Sequence, residues 1–124
     1  MKPASASVLL AFVLCGSAAM AQPQPIRQTC GGIGSDESTR MREDMKNHPL
    51  SLLFAKPGGD YLADVAVRLA DADGKWLLDW KADGPVCLLD LPPGRYRVEA
   101  RSGELVRSRE VNVGATPVRV DIRF

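Results

Sequence analysis

The sequence has 124 residues, of which 16 are basic and 15 acidic, and its formal net charge is +1. This balance argues against nucleic acid or an anionic membrane surface as the main partner, because both favour a clear basic excess. The length suits one domain, and the apolar runs are far shorter than the roughly 20 residues that cross a bilayer, so we expect no membrane insertion.

The N-terminus has the features of an export signal. Lys2 supplies a positive start, Val8–Leu14 form an apolar stretch, and residues 19–21, Ala-Met-Ala, provide a small-x-small cleavage site. Cys15 raises the alternative of a lipoprotein, but the three residues before it lack the small side chain that lipid attachment needs. We therefore predict a signal peptide over residues 1–21, cleaved after Ala21, and a periplasmic or secreted protein.

Two cysteines, Cys30 and Cys87, remain after this cleavage. In an oxidising compartment a pair of thiols usually becomes a disulfide, and we predict one here. The alternative is a free Cys30 and a Cys87 that packs as a small buried apolar residue.

Residues 22–29 are polar, contain two prolines and show no period, so we expect a flexible lead-in before a domain at residues 30–124. A short helix should follow, with Ser35 as its N-cap. Met41 and Met45, four residues apart, would form its buried stripe.

From Leu50 onward apolar residues alternate with polar ones, and turn residues recur every eight to twelve positions, which is typical of antiparallel sheets. Seven strands are predicted, with a bulge between Val106 and Val111 that keeps Arg107 and Arg109 from pointing inward. Seven short strands favour a two-sheet β-sandwich with one short N-terminal helix, and a five-stranded barrel is the alternative. The expected inward residues in chain order are Leu50, Leu52, Phe54, Tyr61, Ala63, Val65, Val67, Leu69, Trp76, Leu78, Trp80, Cys87, Leu89, Leu91, Tyr96, Val98, Ala100, Val111, Val113, Val118, Val120, Ile122 and Phe124.

One segment carries a resemblance to a known family. Asp83-Gly84-Pro85 and the following Leu91-Pro92-Pro93-Gly94-Arg95-Tyr96-Arg97-Val98-Glu99-Ala100 resemble the signature of carboxypeptidase regulatory-like domains. Residues 31–37, 52–55 and 61–65 are similar to small exported bacterial proteins that carry this domain alone. The resemblance spans residues 30–113 and implies a seven-stranded antiparallel, transthyretin-like sandwich that acts as an accessory or binding module in the cell envelope.

The segment Gly31-Gly32-Ile33-Gly34, followed by Asp36 and Glu37, could cradle a phosphate, form a turn or contact a partner. A dinucleotide loop needs a preceding strand and a third glycine, and here proline-rich chain precedes it and Glu37 takes that glycine's place. The acidic pair would also repel an anion. We expect a structural turn, with partner contact as the alternative.

Catalytic and metal-binding groups are sparse. His48 is the only histidine and precedes Pro49 in a predicted loop, so we expect a capping or solvent-exposed role. Asp71–Gly74 begins like a calcium loop but lacks the later ligands, so we expect a hairpin turn, no metal and no cofactor. Hydroxyisourate hydrolases resemble this chain in architecture but use several histidines and a C-terminal Tyr-Arg-Gly-Ser tail, whereas this sequence ends in Asp-Ile-Arg-Phe. We therefore expect that the chain is not an enzyme.

Aromatic side chains offer a ligand platform as a further possibility. Trp76 and Trp80 alternate with charged residues, which favours core packing, although with Tyr61 they could stack on a sugar if their strand lies at an edge. Five arginines could form a basic stripe on neighbouring strands, but Glu99 and Asp121 interrupt it, so a mixed-charge surface is favoured. They are Arg95, Arg97, Arg101, Arg119 and Arg123.

These observations predict a non-catalytic module that binds or supports an unknown envelope protein or polysaccharide. One alternative is a saccharide or small-ligand module that uses Trp76, Trp80 or Tyr61. The other is an inhibitor or chaperone-like partner of an envelope enzyme, presenting the loop from Gly31 to Glu37.

Overall fold

A computed structural model describes residues 25–124 of the chain, so the predicted signal peptide lies outside the described residues. Among the described residues, no helix is long and apolar enough to span a membrane. Within residues 25–124, one helix, a 3₁₀ turn and eight strands follow one another in the order β1 Arg27–Gly31, α1 Ser35–Asp44, the 3₁₀ turn Met45–Asn47, β2 Leu50–Ala55, β3 Val65–Asp71, β4 Trp76–Ala82, β5 Val86–Asp90, β6 Gly94–Ser102, β7 Leu105–Val113 and β8 Val118–Arg123.

The strands form two four-stranded sheets that pack face to face. Sheet A has the order β1-β5-β2-β8 and sheet B the order β4-β3-β6-β7. All neighbours are antiparallel except β2 and β8, which run parallel. The predicted β-sandwich with one short helix is therefore confirmed, while the count rises from seven strands to eight and one pairing is parallel.

The additional strand is β1. The prediction of a flexible lead-in over residues 22–29 is wrong for residues 27–29, because they begin a strand that pairs along its length with β5. The sequence of β1 shows almost no alternation of apolar and polar residues. The strand lies at a sheet edge, where main-chain hydrogen bonds to β5 hold it in place. Residues 22–24 of that segment lie outside the described part of the chain.

The main core fills the space between the sheets. Fully buried members include Leu52, Phe54, Val67, Leu89 and Val98, all of which the two-residue period placed inward. Strand β3 begins only at Val65, so Tyr61 and Ala63 are exposed in the preceding loop and do not join the inward face. The alternation thus predicted the inward residues of β2, β3, β5 and β6 and failed in the loop before β3, where the chain is not yet a strand.

A second cluster lies on the outer face of sheet A, under α1. Leu53, Val86 and Leu88 pack there against Met41 and Met45, as the predicted helix stripe requires. Strand β2 is buried on both faces because α1 covers the face that would otherwise meet water. Burial of this second apolar face holds the helix against the sheet.

The predicted bulge in β7 is absent. The β6–β7 register runs unbroken from the Gly94–Val113 pair to the Ser102–Leu105 pair, so Arg107 shares the inward side with Val111. Arg107 lies at the open edge of the sandwich, where its guanidinium is 6.0 Å from the Phe124 ring centre and donates to the Arg123 carbonyl. An edge strand tolerates inward arginines because their charged ends still reach water.

The predicted disulfide is present between Cys30 of β1 and Cys87 of β5, which are directly opposite in the register. Gly84 lies so close to Gly31 that a Cβ at position 84 would clash with the Gly31 carbonyl. The far side of the bond is covered by Trp80, whose Nε1–H points at Cys30 Sγ over 3.3 Å. The bond therefore fixes the edge strand β1 to β5 within sheet A.

Replacing Cys30 and Cys87 together by alanine should lower the free energy of unfolding. The chain-entropy model gives about 4 kcal/mol for a loop of this length, and lost packing at the buried Cys87 adds to it. Urea denaturation of the wild type and of the double variant measures this difference. Two titratable thiols in the oxidised wild type, or equal stability of the two proteins, would contradict the assignment.

Candidate functional site

An open groove of about 540 Å³ lies between the glycine-rich loop, the start of α1 and the loop before β3. Its walls are mainly apolar, with a single arginine at the rim. The lining residues are Gly32, Ile33, Gly34, Ser35, Ser38, Thr39, Arg42, Tyr61, Ala63 and Pro85.

The glycine-rich loop forms one wall because its backbone adopts conformations that other residues avoid. Gly32 and Gly34 have φ angles of 93° and 91°. A Cβ on Gly32 would also press on the Val86 side chain. Between these glycines the Ile33 side chain is 65% exposed, an unusual position for a large apolar side chain next to a groove.

Helix α1 forms the floor on the opposite side. Its N-cap is Gly34 and not the predicted Ser35, and the cap makes no side-chain hydrogen bond. The Ser38 hydroxyl is buried without a hydrogen-bond partner among the described residues, although the residue lines the groove. The main-chain N–H of Ser38 donates to the Gly34 carbonyl, so the N–H groups before it have no partner within the helix.

The acidic pair after the glycines does not face the groove. The Glu37 carboxylate folds back over Gly31, on the side of β1. Asp36 lines a separate surface hollow with Thr39 and Arg40. Neither carboxylate therefore belongs to the groove lining, although the hollow that Asp36 lines shares Thr39 with the groove.

Tyr61 forms the remaining wall. Its main chain bridges to Ala55 at the end of β2, and its side chain is 42% exposed. The Arg42 guanidinium lies 5.8 Å from the centre of the Tyr61 ring, and its Nε donates to the Ser38 carbonyl over 3.3 Å. This contact joins α1 to the Tyr61 loop and places a positive charge at the rim.

A second, more polar hollow of about 230 Å³ lies beyond Tyr61, on the outer face of sheet A. Arg119 and Asp121 pair within it at 2.8 Å. Arg123 donates to the Pro57 carbonyl at 3.4 Å. Because Tyr61 lines both hollows, the groove and the second hollow are neighbours separated by one aromatic ring.

The structure thus brings four of the predicted site residues together, namely Gly32, Ile33, Gly34 and Tyr61. It does not bring Trp76 or Trp80 to them, since β4 lies in the other sheet. A register shift after Leu69 turns Trp76 to the outer face of sheet B, so the expectation that it packs in the core is wrong.

Trp76 is 40% exposed, and the Arg68 guanidinium stacks 3.8 Å from its ring centre. Arg68 also lies 3.6 Å from Asp79. Trp80 is only partly exposed and packs against the core, as expected. The two tryptophans therefore do not form a shared platform with Tyr61.

The basic stripe that the five arginines could have formed is absent, because its members lie on different sheets. Arg95, Arg97 and Arg101 belong to β6 of sheet B, whereas Arg119 and Arg123 belong to β8 of sheet A. Two functional candidates were missed in the sequence, Arg42 and Pro85. Ser38, Arg42 and Met45 are spaced by four and three residues, which places Arg42 beside the buried face of the helix. This spacing could have identified Arg42 from the sequence.

His48 has a structural role that the sequence did not reveal. Its Nε2 lies 3.0 Å from Asp44 and its Nδ1 2.8 Å from Asp90, so the ring joins the end of the helical segment to β5. Partial burial works against the charged ring, but the hydrogen bonds to Asp90 and Asp44 outweigh it and raise the pKa of His48. The pKa of Asp44 is lowered by its hydrogen bonds to Asn47 and His48. No cluster of three or more metal-ligating side chains occurs among residues 25–124.

The two packed sheets define a transthyretin-like β-sandwich. The chain is similar in structure to the 5-hydroxyisourate hydrolase of Klebsiella pneumoniae, with a TM-score of 0.50 and 17% sequence identity over 62% of this chain and 89% of that one. No protein-family model and no curated protein sequence matches this chain significantly.

This likeness contradicts the expectation that the chain is not an enzyme, because the structural neighbour is a hydrolase. The expectation rested on missing catalytic motifs and on the expected fold. Because the same fold carries catalysis in another protein, the fold gives no support to the absence of catalysis. At this identity the likeness shows the fold and transfers no activity or residue role.

The His48 contacts predict a pH-dependent stability. A folded-state pKa above the ordinary value of about 6.5 contributes stability below that value, and the contribution is lost as pH rises through the folded pKa. The melting temperature of the wild type should therefore fall as the pH rises above about 6.5 and through the folded-state pKa, and it should change much less in His48→Gln. NMR titration of the ring should show a raised pKa that Asp90→Asn reduces, whereas an ordinary pKa in the wild type would contradict the bridge.

Proposed function

We propose that this chain is an exported binding module that captures a segment of a partner protein in the groove. The observation that carries the proposal is the exposed Ile33 beside the half-exposed Tyr61, at the mouth of a mainly apolar concavity. Exposed apolar side chains next to a concave surface are typical of binding sites. Gly32 and Gly34 adopt positive φ angles that other residues avoid, which is consistent with a loop that presents Ile33 to solvent.

The setting of the proposal is the bacterial cell envelope. The predicted signal peptide supports export, and the Cys30–Cys87 disulfide is consistent with an oxidising compartment. The signature at residues 83–100 supports assignment to the carboxypeptidase regulatory-like domains, which is part of this proposal. An inhibitor or chaperone-like role would use the same groove. Trp76, Trp80 and Tyr61 lie apart and form no shared sugar platform, but β4 is an edge strand, so the exposed Trp76 alone still meets the condition for stacking on a sugar.

Peptide selection tests the proposal directly. A random linear peptide library displayed on phage is selected on the wild-type protein, and the enriched peptides are synthesised with a fluorescent label. Fluorescence anisotropy then compares the wild type with Tyr61→Ala, which should weaken binding roughly tenfold or more because an aromatic wall is removed.

Trp76→Ala is the matched control, because Trp76 is exposed to the same degree but lies on the other sheet. It should leave peptide affinity unchanged. Ile33→Asp should abolish binding without affecting stability, since Ile33 is largely in solvent. Absence of any enriched peptide, or selected peptides that depend on Trp76 and not on Tyr61, would refute the groove as the binding site.

A further inference from the structure

The two hollows on either side of Tyr61 differ in character. The groove is walled by Ile33, Ala63 and Pro85, whereas the second hollow is edged by Arg119, Asp121 and Arg123. A segment that crosses the Tyr61 ring would therefore meet an apolar surface first and a charged one next. The chemistry of the partner follows from this contrast, and the inference rests on the proposed function.

The charged groups along this path are mainly positive. Arg119 is paired with Asp121, but no carboxylate among residues 25–124 lies within ion-pair distance of Arg42 or Arg123. Asp60 and Asp64 flank the Tyr61 loop in sequence, yet neither lines either hollow. Two guanidinium groups thus border the path without an acidic partner.

We infer that the groove selects an acidic-apolar peptide segment. One apolar side chain occupies the groove beside Ile33, and a carboxylate near it in the segment pairs with Arg42 at the groove rim or with Arg123 beyond the Tyr61 ring. Guanidinium groups bind carboxylates well because they offer several donors in a planar fork. The positive charge at the groove rim raises the specificity and the association rate, and the apolar contact supplies most of the affinity.

A peptide suits this surface better than a lipid chain. The groove is open, and the Tyr61 ring separates it from the second hollow, so there is no continuous enclosed channel for an acyl tail. The main-chain N–H groups in the first turn of α1 lack partners within the helix, and a peptide main chain offers carbonyls that can accept from them.

The test uses peptide pairs in which each Asp or Glu of a groove-binding peptide is replaced by Asn or Gln. Fluorescence anisotropy should show affinity about threefold to tenfold lower for the neutral peptide, a difference that shrinks as salt is added. The change is made in the peptide, so the fold of the protein is untouched.

Protein variants then locate the contact. At least one of Arg123→Gln and Arg42→Gln should weaken binding of the acidic peptide and leave binding of the neutral peptide nearly unchanged. That difference is the coupling energy in a double-mutant cycle, and it identifies the arginine that pairs with the carboxylate. Arg101→Gln, an exposed arginine of the other sheet, is the matched control and should affect neither peptide.

The failures of the two proposals are distinguishable. Equal affinity of acidic and neutral peptides, with binding still lost in Tyr61→Ala, would overturn this inference and leave the groove as a peptide site. Binding to phosphatidylglycerol vesicles that Tyr61→Ala abolishes, or self-association that the same variant abolishes, would overturn both by assigning the groove to a membrane or to a second copy.

Discussion

The attachment of β1 to β5 is the constraint on which the candidate site depends. Cys30 and Cys87 are joined directly across these strands, and the main chains approach so closely that position 84 must be glycine. Because β1 leads straight into the glycine-rich loop and then into α1, this attachment determines where the loop wall and the helical floor of the groove begin. Burial of Leu53, Val86 and Leu88 under the helix then holds the far end of α1 in place.

The sequence predicted inward residues best in regular strands that bury only one face. The two-residue alternation of β3, β6 and β8 predicted their inward residues, because a strand with one face on the core shows its burial in its pattern. It could not reveal β1, whose pairing depends on main-chain hydrogen bonds, nor the side on which Trp76 lies, which a one-residue register shift reverses. The extra burial of Leu53 and Leu88 also depends on a tertiary partner, the helix, that no strand pattern encodes.

The candidate site was predictable only in part. The glycines, Ile33 and Tyr61 stood out individually, but their convergence depends on how α1 folds back over sheet A. Arg42 and Arg123 come from a helix and from the last strand, so their approach to Tyr61 is a property of the fold. The likeness to a hydrolase shows the fold alone, and because one fold hosts both catalytic and binding proteins, the fold does not decide between the two.

The central claim is that the groove around Ile33 and Tyr61 binds an acidic-apolar peptide. Titration of isotope-labelled protein with such a peptide, followed by amide chemical shifts in NMR spectra, tests it most directly. The account predicts that the shifting amides cluster at residues 32–35, at Tyr61 and at Arg123, while the amides of β3 and β4 stay in place. Shifts centred on Trp76 and Arg68, or scattered without a cluster, would contradict it.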